Sequence, residues 1–367
     1  MEERKGPVES VAGLMGNTLV DQKFWRNKKV FVTGHTGFKG SWLCLWLAQM
    51  GAKVTGVALP PPTKPSLFLA ANVEDVLQRS VILDIRDGKK LGHLVRQAKP
   101  QVVFHMAAQP LVRDSYKAPV ATYATNVMGT VNLFEAIRTV PSVRAVVNVT
   151  TDKCYENMEC HYRYREEDPL GGYDPYSSSK ACSEIVTATY RRSFGLAVAT
   201  ARAGNVIGGG DWAQDRLVPD CIRALMKNKG ILLRNPQAVR PWQHVLDVLC
   251  GYLMLAERLF VSGSKFASAW NFGPDSRDVL TVRQVADMIA RQWGESSRVK
   301  LSPGKHPHEA KLLMLDVSKA KKELGWRPRM SIAQALDWTV KGYWGLAQKK
   351  NMCAVIFQQI NSYREGL

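Results

Sequence analysis

The chain has 367 residues, 46% of them hydrophobic, and a formal net charge of +18. That is enough apolar material for a sizeable core, but the longest dense apolar run, residues 42–48, falls far short of the roughly 18 residues a membrane span needs. Glu2, Glu3, Arg4 and Lys5 occupy an N-terminus without a sustained apolar stretch, so no secretory signal is expected and the cytoplasm is the expected location.

Residues 30–32 form a short apolar run that reads as a buried strand, and Gly34, Gly37 and Gly40 follow it. Trp42, Leu45, Trp46 and Gln49 then recur at helical spacing. Strand, glycine turn and helix in that order make a dinucleotide-binding unit. The glycines let the backbone approach a pyrophosphate, and the helix N-terminus directs its positive dipole at it. A tight turn with no ligand is the alternative.

Residues 53–58 predict a second strand. The position after it usually carries a carboxylate for the ribose hydroxyls, but here Leu59 and three prolines stand there. Residues 102–106 predict another strand, ending in Ala107, Ala108 and Gln109. A helix follows over 119–139, with Val127, Val131, Phe134 and Ile137 on one side. Residues 145–149 and 197–201 are further strands, and Thr150, Thr151, Asp152 and Lys153 follow the first of these at once.

Alternating strand and helix predicts an α/β fold of Rossmann type, a doubly wound parallel sheet. Its ligands sit at the carboxyl ends of the strands, so Gly34, Ala107 and Thr151 should converge on one crevice. The second half is less regular. It holds a glycine loop at 208–212, a strand and turn at 270–274, and helices at 282–293 and 332–343. The expected organisation is a tail over 1–23, a Rossmann domain over 24–203, and a smaller C-terminal substrate-binding lobe over 204–367. Some segments of that lobe return to the Rossmann domain.

Seven cysteines contain no CxxC pair, which fits reduced thiols better than disulfides or zinc. His306 and His308 have no partnering cysteine or second histidine pair nearby, so no metal is expected. The charge fits a nucleic-acid surface, a solvated basic face, or a field that draws in phosphorylated small molecules. No helix-turn-helix, zinc finger or aromatic RNA-binding signature accompanies it, and the last reading is favoured, with no nucleic-acid or membrane partner.

Tyr176 and Lys180 stand four apart at the start of a helix running toward Phe194, on one face. Such a pair is often just a surface contact; here it comes after the fourth strand and a glycine turn. Free tyrosine, with a pKa of about 10, is a poor base at neutral pH. A nearby ammonium and a positive nicotinamide ring both favour the phenolate, and a depression of roughly 3 units corresponds to about 4 kcal/mol. Such a phenolate takes a proton from a sugar hydroxyl as hydride leaves that carbon, and Thr151 completes the hydrogen-bond path.

With these residues the chain, from Phe24 onward, resembles the extended short-chain dehydrogenase/reductase family. Four stretches, 33–42, 151–157, 164–180 and 240–245, are together similar to its CDP-glucose 4,6-dehydratase branch. The resemblance implies NAD as a recycled cofactor and CDP-glucose as substrate. It implies oxidation at sugar C4, loss of the C6 hydroxyl as water after C5 deprotonation, and hydride return to C6. Tyr176 and Lys180 would serve oxidation, Thr151 would position the hydroxyl, and Asp152 would protonate the departing oxygen. Lys153 stands where related dehydratases carry a glutamate base. It would act as a neutral base or as a charged stabiliser of the enolate, or else form a salt bridge to Asp152.

For the cofactor the resemblance implies Gly34, Thr36, Gly37, Phe38, Gly40, Asp84, Ile85, Ala107, Ala108, Gln109, Asn126 and Thr150, besides Tyr176 and Lys180. For the nucleotide sugar the expected residues are Asn205, Arg240, His244 and Asn271, with Arg240 suited to bidentate diphosphate contacts. The stretch around His308 and Glu309 resembles a family segment from which Lys311 and Leu312 depart. A homodimer is implied, through the helices near 119–139 and 176–194. A nucleotide-sugar 4-epimerase and a dinucleotide-sensing regulator without turnover are the rival readings.

Overall fold

The computed structural model describes residues 20–275, 279–294, 299–302 and 312–366. Most of the N-terminal tail, and His306, His308, Glu309 and Lys311, lie outside the described residues.

Seven parallel strands make the central sheet: β1 (Lys29–Thr33), β2 (Lys53–Ala58), β3 (Arg79–Ile82), β4 (Val102–His105), β5 (Ala145–Val149), β6 (Val198–Ala203) and β7 (Ala269–Phe272). Their spatial order is β7-β6-β5-β4-β1-β2-β3. The order reverses between β1 and β4, where Val30 pairs with both Val54 and Val102. A doubly wound sheet leaves its ligand crevice at that reversal, at the carboxyl ends.

Alternation along the strands sends successive side chains to opposite faces. Phe31, Val103 and Val146 join one core with helices α2 (Gly88–Ala98), α3 (Gly129–Arg138) and α4 (Pro175–Phe194). Val30, Val32, Val102, Phe104 and Val147 join the other. There the sheet meets α1 (Phe38–Gln49); the longer helices of the second half are α5 (Leu217–Leu225), α6 (Val245–Ser262), α7 (Val282–Trp293), α8 (Ile332–Ala347) and α9 (Met352–Glu365).

Helix α1 is buried around nearly its whole girth from Gly40 to Leu47, because α6 and α9 pack against it as well as the sheet. The Trp46 ring meets Tyr363 of α9 edge-on at 5.8 Å, and Gln49 Nε2 donates to Asn361 Oδ1 at 2.9 Å. The second lobe adds a small sheet in which residues 239–244 pair with Asn205–Ile207 and Val279–Thr281.

Two details differ from the sequence reading. Strand β3 is not among the expected strands; it is a short edge strand exposed at both ends. The helix expected over 119–139 is interrupted by a π turn at Ala124–Met128. A π turn inserts extra chain and rotates the helical turns beyond it. Thr122, Asn126, Thr130 and Leu133 therefore face inward, while Val127 and Val131 are only half-buried.

A buried ion pair ties α4 to β6, with Glu184 Oε2 2.8 Å from Arg202 Nη2. Thr200 Oγ1 donates to the same carboxylate oxygen at 2.7 Å, and Thr150 Oγ1 to the other at 2.5 Å. Arg202 Nη1 reaches the Tyr155 hydroxyl at 2.7 Å. Burial alone would raise the Glu184 carboxyl, but Arg202 and the two threonines outweigh it and hold it below its ordinary range. Removing one partner of such a pair leaves an uncompensated charge. Arg202→Met should therefore cost about 3–5 kcal/mol in urea unfolding, and adding Glu184→Gln should recover a substantial part.

Candidate active site

The glycine turn is fixed by close approach. Gly34 has φ +79°, and a Cβ there would lie 2.7 Å from Ala107 N. A Cβ on Gly40 would lie 2.1 Å from Gly34 O, so the turn and the first turn of α1 touch backbone to backbone. Gly37 is the N-cap of α1 and offers no capping side chain, which leaves the N–H groups from Phe38 onward open to an anion. Thr36 Oγ1 donates to Leu59 O at 2.8 Å, tying the turn to the end of β2. Thr33 Oγ1 accepts the N–H groups of Met106 and Ala107, joining the loops after β1 and β4. This cradle fits a dinucleotide.

The polar residues behind the cradle are positioned by one another. Asn126 accepts Gln109 N at 2.8 Å, and its Nδ2 donates to Gln109 O and to Ser179 Oγ. It thereby clamps the loop of Ala107, Ala108 and Gln109 to α4. The Gln109 amide is itself spent on Leu111 and Thr122. His105 bridges Thr33 and Thr130 through its two ring nitrogens, and burial, aided by the Lys180 charge, pushes it down to about 3. Asp84 is paired with Arg86 at 2.6 Å, while the Ile85 side chain fills the core beneath Gly129.

The expected reacting groups line one cavity of about 300 Å³: Thr151, Asp152, Lys153 and Tyr176. Lys180 lies below them, donating to Val149 O at 3.0 Å. Thr151 Oγ1 donates to Asp152 Oδ1 at 3.0 Å and also caps the turn by accepting Lys153 N. Asp152 is buried, and desolvation raises its carboxyl against the opposing charges of Lys153 and Arg240. Desolvation thus shifts the carboxyl toward the protonated form that a general acid uses. Gly204 makes room for it: a Cβ there would lie 2.9 Å from Asp152 Oδ2.

Tyr176 departs from the expected depressed phenol. Burial pushes it up to about 12, Asp152 and Asp174 act in the same sense, and Thr151 and Arg216 oppose them. The protein alone therefore keeps the phenol protonated, and a further positive charge is needed to ionise it. Lys180 is pushed down to about 8 by burial, partly countered by Glu184 and Cys154.

Of the expected sugar-nucleotide contacts, Asn205 and Arg240 line the cavity. His244 and Asn271 do not, and both are corrected to structural roles. His244 caps α6 by accepting Leu246 N and is fully buried between Trp42 and Trp338. Asn271 is fully buried on β7; its Oδ1 accepts from the Tyr155 hydroxyl and its Nδ2 donates to the carbonyls of Tyr164 and Asp316. No polar atom of that side chain is left for a ligand.

The sequence reading missed Lys39, Arg113, Arg216 and Arg234, which line the same cavity. Arg113 and Arg234 converge on Asp215 at 3.3 and 2.7 Å. Lys39 had a usable signal, a cation in the first turn of a helix, where the dipole disfavours it. Burial, with the charges of Arg216 and Lys180, pushes it down to about 7 against the pull of Asp152 and Asp211. The arginines come from a short helix and two separate loops that no local pattern unites.

A carboxyl raised by burial destabilises the fold once it ionises. The penalty on Asp152 sets in above the unfolded carboxylate pKa and is complete above the raised native one. Asp152→Asn should therefore raise the thermal midpoint near pH 7, and that gain should shrink as the pH falls toward 3. Thermal unfolding across that range checks it.

A model of the family described as GDP-mannose 4,6 dehydratase matches residues 31–339. A CDP-glucose 4,6-dehydratase of Salmonella typhimurium is 49% identical over 354 residues, covering 94% of this chain and 98% of that protein. Among solved structures, a dTDP-glucose 4,6-dehydratase from Streptomyces venezuelae with NAD bound is 26% identical. It superimposes with a TM-score of 0.76 over 88% of this chain and 99% of that one. A UDP-glucose 4-epimerase from Thermus thermophilus, also with NAD, is 27% identical with a TM-score of 0.75 over 86% and 99%. The chain belongs to the GDP-mannose 4,6-dehydratase family, within the extended short-chain dehydrogenase/reductases.

Proposed function

We propose that the protein converts CDP-D-glucose to CDP-4-dehydro-6-deoxy-D-glucose as an NAD-dependent hydro-lyase. The observation that carries this reading is Asp152, a buried carboxyl whose proton affinity desolvation raises, in the same cavity as Tyr176. A 4-epimerase has no leaving hydroxyl to protonate. The 49% identity over nearly the whole of both chains supports the CDP-sugar as substrate.

NAD would supply hydride acceptance at sugar C4 and hydride return at C6. Tyr176 receives the C4 hydroxyl proton, and Thr151, beside it, orients that hydroxyl. Lys180, anchored on β5, contributes positive charge to the cleft. Asp152 delivers its proton to the departing C6 oxygen. Lys153 serves C5, taking its proton as a neutral amine and giving it back as hydride returns to C6, or as a cation stabilising the enolate while solvent water takes and returns that proton. Arg240 and Asn205 hold the diphosphate side of the substrate. The glycine turn of Gly34, Gly37 and Gly40 receives the cofactor pyrophosphate.

The protein is proposed to act in the cytoplasm as a homodimer. Val120, Tyr123 and Met128 on one helical segment, and Ile185 and Phe194 on α4, are exposed apolar side chains that support the second statement. Among the described residues no helix is long and apolar enough to cross a membrane. Light scattering should give a mass near twice 40.9 kDa, and Val120→Glu with Ile185→Glu should halve it.

Incubation with CDP-, dTDP-, GDP- and UDP-glucose should yield a 4-keto-6-deoxy sugar from CDP-glucose alone. Tyr176→Phe should slow C4 oxidation by a factor on the order of 10²–10⁴. Asp152→Asn should retain C4 oxidation but lose elimination by at least about 10². Undiminished elimination in Asp152→Asn would remove that residue from the acid role. A 4-epimer product would overturn the reading.

A further inference from the structure

Besides the reacting groups, the cavity has an apolar wall. Leu217 and Val218 of α5, Leu232 and Leu233 of the strand Ile231–Leu233, and Val282 of α7 all line it. Helix α5 packs on both that strand and α7, so these side chains belong to one surface. The turn at 235–238 is fastened to the start of α7: Val282 N donates to Ala238 O at 2.9 Å and Arg283 N to Pro236 O at 3.0 Å. A flat, uncharged ring suits such a wall, whereas a diphosphate or a hexose would strand its polar atoms there.

A charged cluster stands at the edge of this wall. Arg234 directly follows Leu233, and both line the cavity. Its Nη1 donates to Asp215 Oδ1 at 2.7 Å and its Nη2 to the Asp215 carbonyl at 3.2 Å. Arg113, from the short helix Val112–Lys117, approaches the same Oδ1 at 3.3 Å. Asp215 itself lies in the turn just before α5, two residues from Leu217, with φ +60°. Both cations lie on Oδ1, and among the described residues Oδ2 makes no hydrogen bond. A carboxylate set between two arginines repels a second anion, so the cluster is a poor seat for the diphosphate. It presents instead an acceptor oxygen and an adjoining guanidinium at the end of an apolar wall, the pattern that reads the polar edge of a base.

We propose that Asp215 and Arg234 are specificity-determining residues that read the nucleobase. Asp215 Oδ2 accepts the 4-amino group of cytosine, and the Arg234 guanidinium donates toward N3 and O2. Arg113 braces Asp215 from the other side. The assignment rests on the CDP-sugar reading above and names the residues that give it base selectivity. Uracil or thymine in the same seat turns a carbonyl oxygen at position 4 toward the carboxylate and an N–H at position 3 toward the guanidinium. Both contacts are then inverted, and an inverted contact costs more than a missing one.

The test uses the NAD-loaded protein as wild type, Asp215→Asn and Arg234→Met. Calorimetry measures the affinities for CDP and UDP, and kcat/KM is measured with CDP-glucose and UDP-glucose. CDP and UDP share their diphosphate and differ only in the base, so their affinity ratio isolates the base contact. The ratio in favour of CDP should fall at least about tenfold in each variant. Asp215→Asn should also bind UDP more tightly than wild type does, because an amide can donate to the carbonyl at position 4. A ratio that changes by less than about threefold in either variant, with both nucleotides weakened alike, would make the cluster a clasp or a diphosphate ligand and overturn the proposal. If one variant does not fold, the other decides. Wild type that binds CDP no more tightly than UDP overturns the proposal together with the CDP-sugar reading. Wild type that selects CDP but forms no 4-keto sugar removes the dehydratase reading alone, and the variants' affinity ratios still decide the base contact.

Discussion

Desolvation at the carboxyl end of β5 is the constraint on which the chemistry depends. Charged and chargeable groups stand there within a few residues of one another, in a cleft that withholds water. Burial favours the protonated forms of Asp152 and Tyr176 and draws Lys39 and Lys180 down toward neutrality. An exposed aspartate would arrive at neutral pH without the proton an elimination requires, and an exposed tyrosine could ionise without regard to what is bound. Low dielectric thus makes each proton conditional on its neighbours. The phenol in particular waits for positive charge that the protein supplies only in part.

The scaffold has to hold such groups in place against their own repulsion. It does so with buried polar pairs one layer behind the cleft. Glu184 and Arg202 lock α4 to β6, and Thr150, at the cavity edge, is one of the donors to that carboxylate. Asn126 performs the equivalent task for the loop after β4, and Thr33 for the turn after β1. Each is bonded to protein partners, so each orders backbone at the crevice without presenting a free charge there.

The fold was legible wherever local pattern and position coincided. Strand ends located Gly34, Ala107 and Thr151, since a parallel sheet with reversed order leaves one place for a ligand. Tyr176 and Asp152 were legible for the same reason, each lying just beyond an element whose boundary the sequence marks. β3 was not, because only two of its four residues are apolar and neither of its ends is buried. His244 and Asn271 were misplaced because a histidine and an asparagine near strand ends look the same whether they cap a helix, bridge loops or bind a sugar. Their burial and their partners, from Leu246, Tyr155 and Asp316, depend on contacts far apart in the chain. Arg216 and Lys39 escaped notice for a related reason: a cation acquires meaning only from the charges that folding sets beside it.

The central claim is that one cavity removes hydride from a hexose and returns it two carbons away after water has left. CDP-glucose deuterated at C4 tests this most directly, with the product examined by NMR or mass spectrometry. The account predicts a 6-deoxy-4-keto product carrying the deuterium at C6. Deuterium retained at C4, or a product with none at C6, would contradict it.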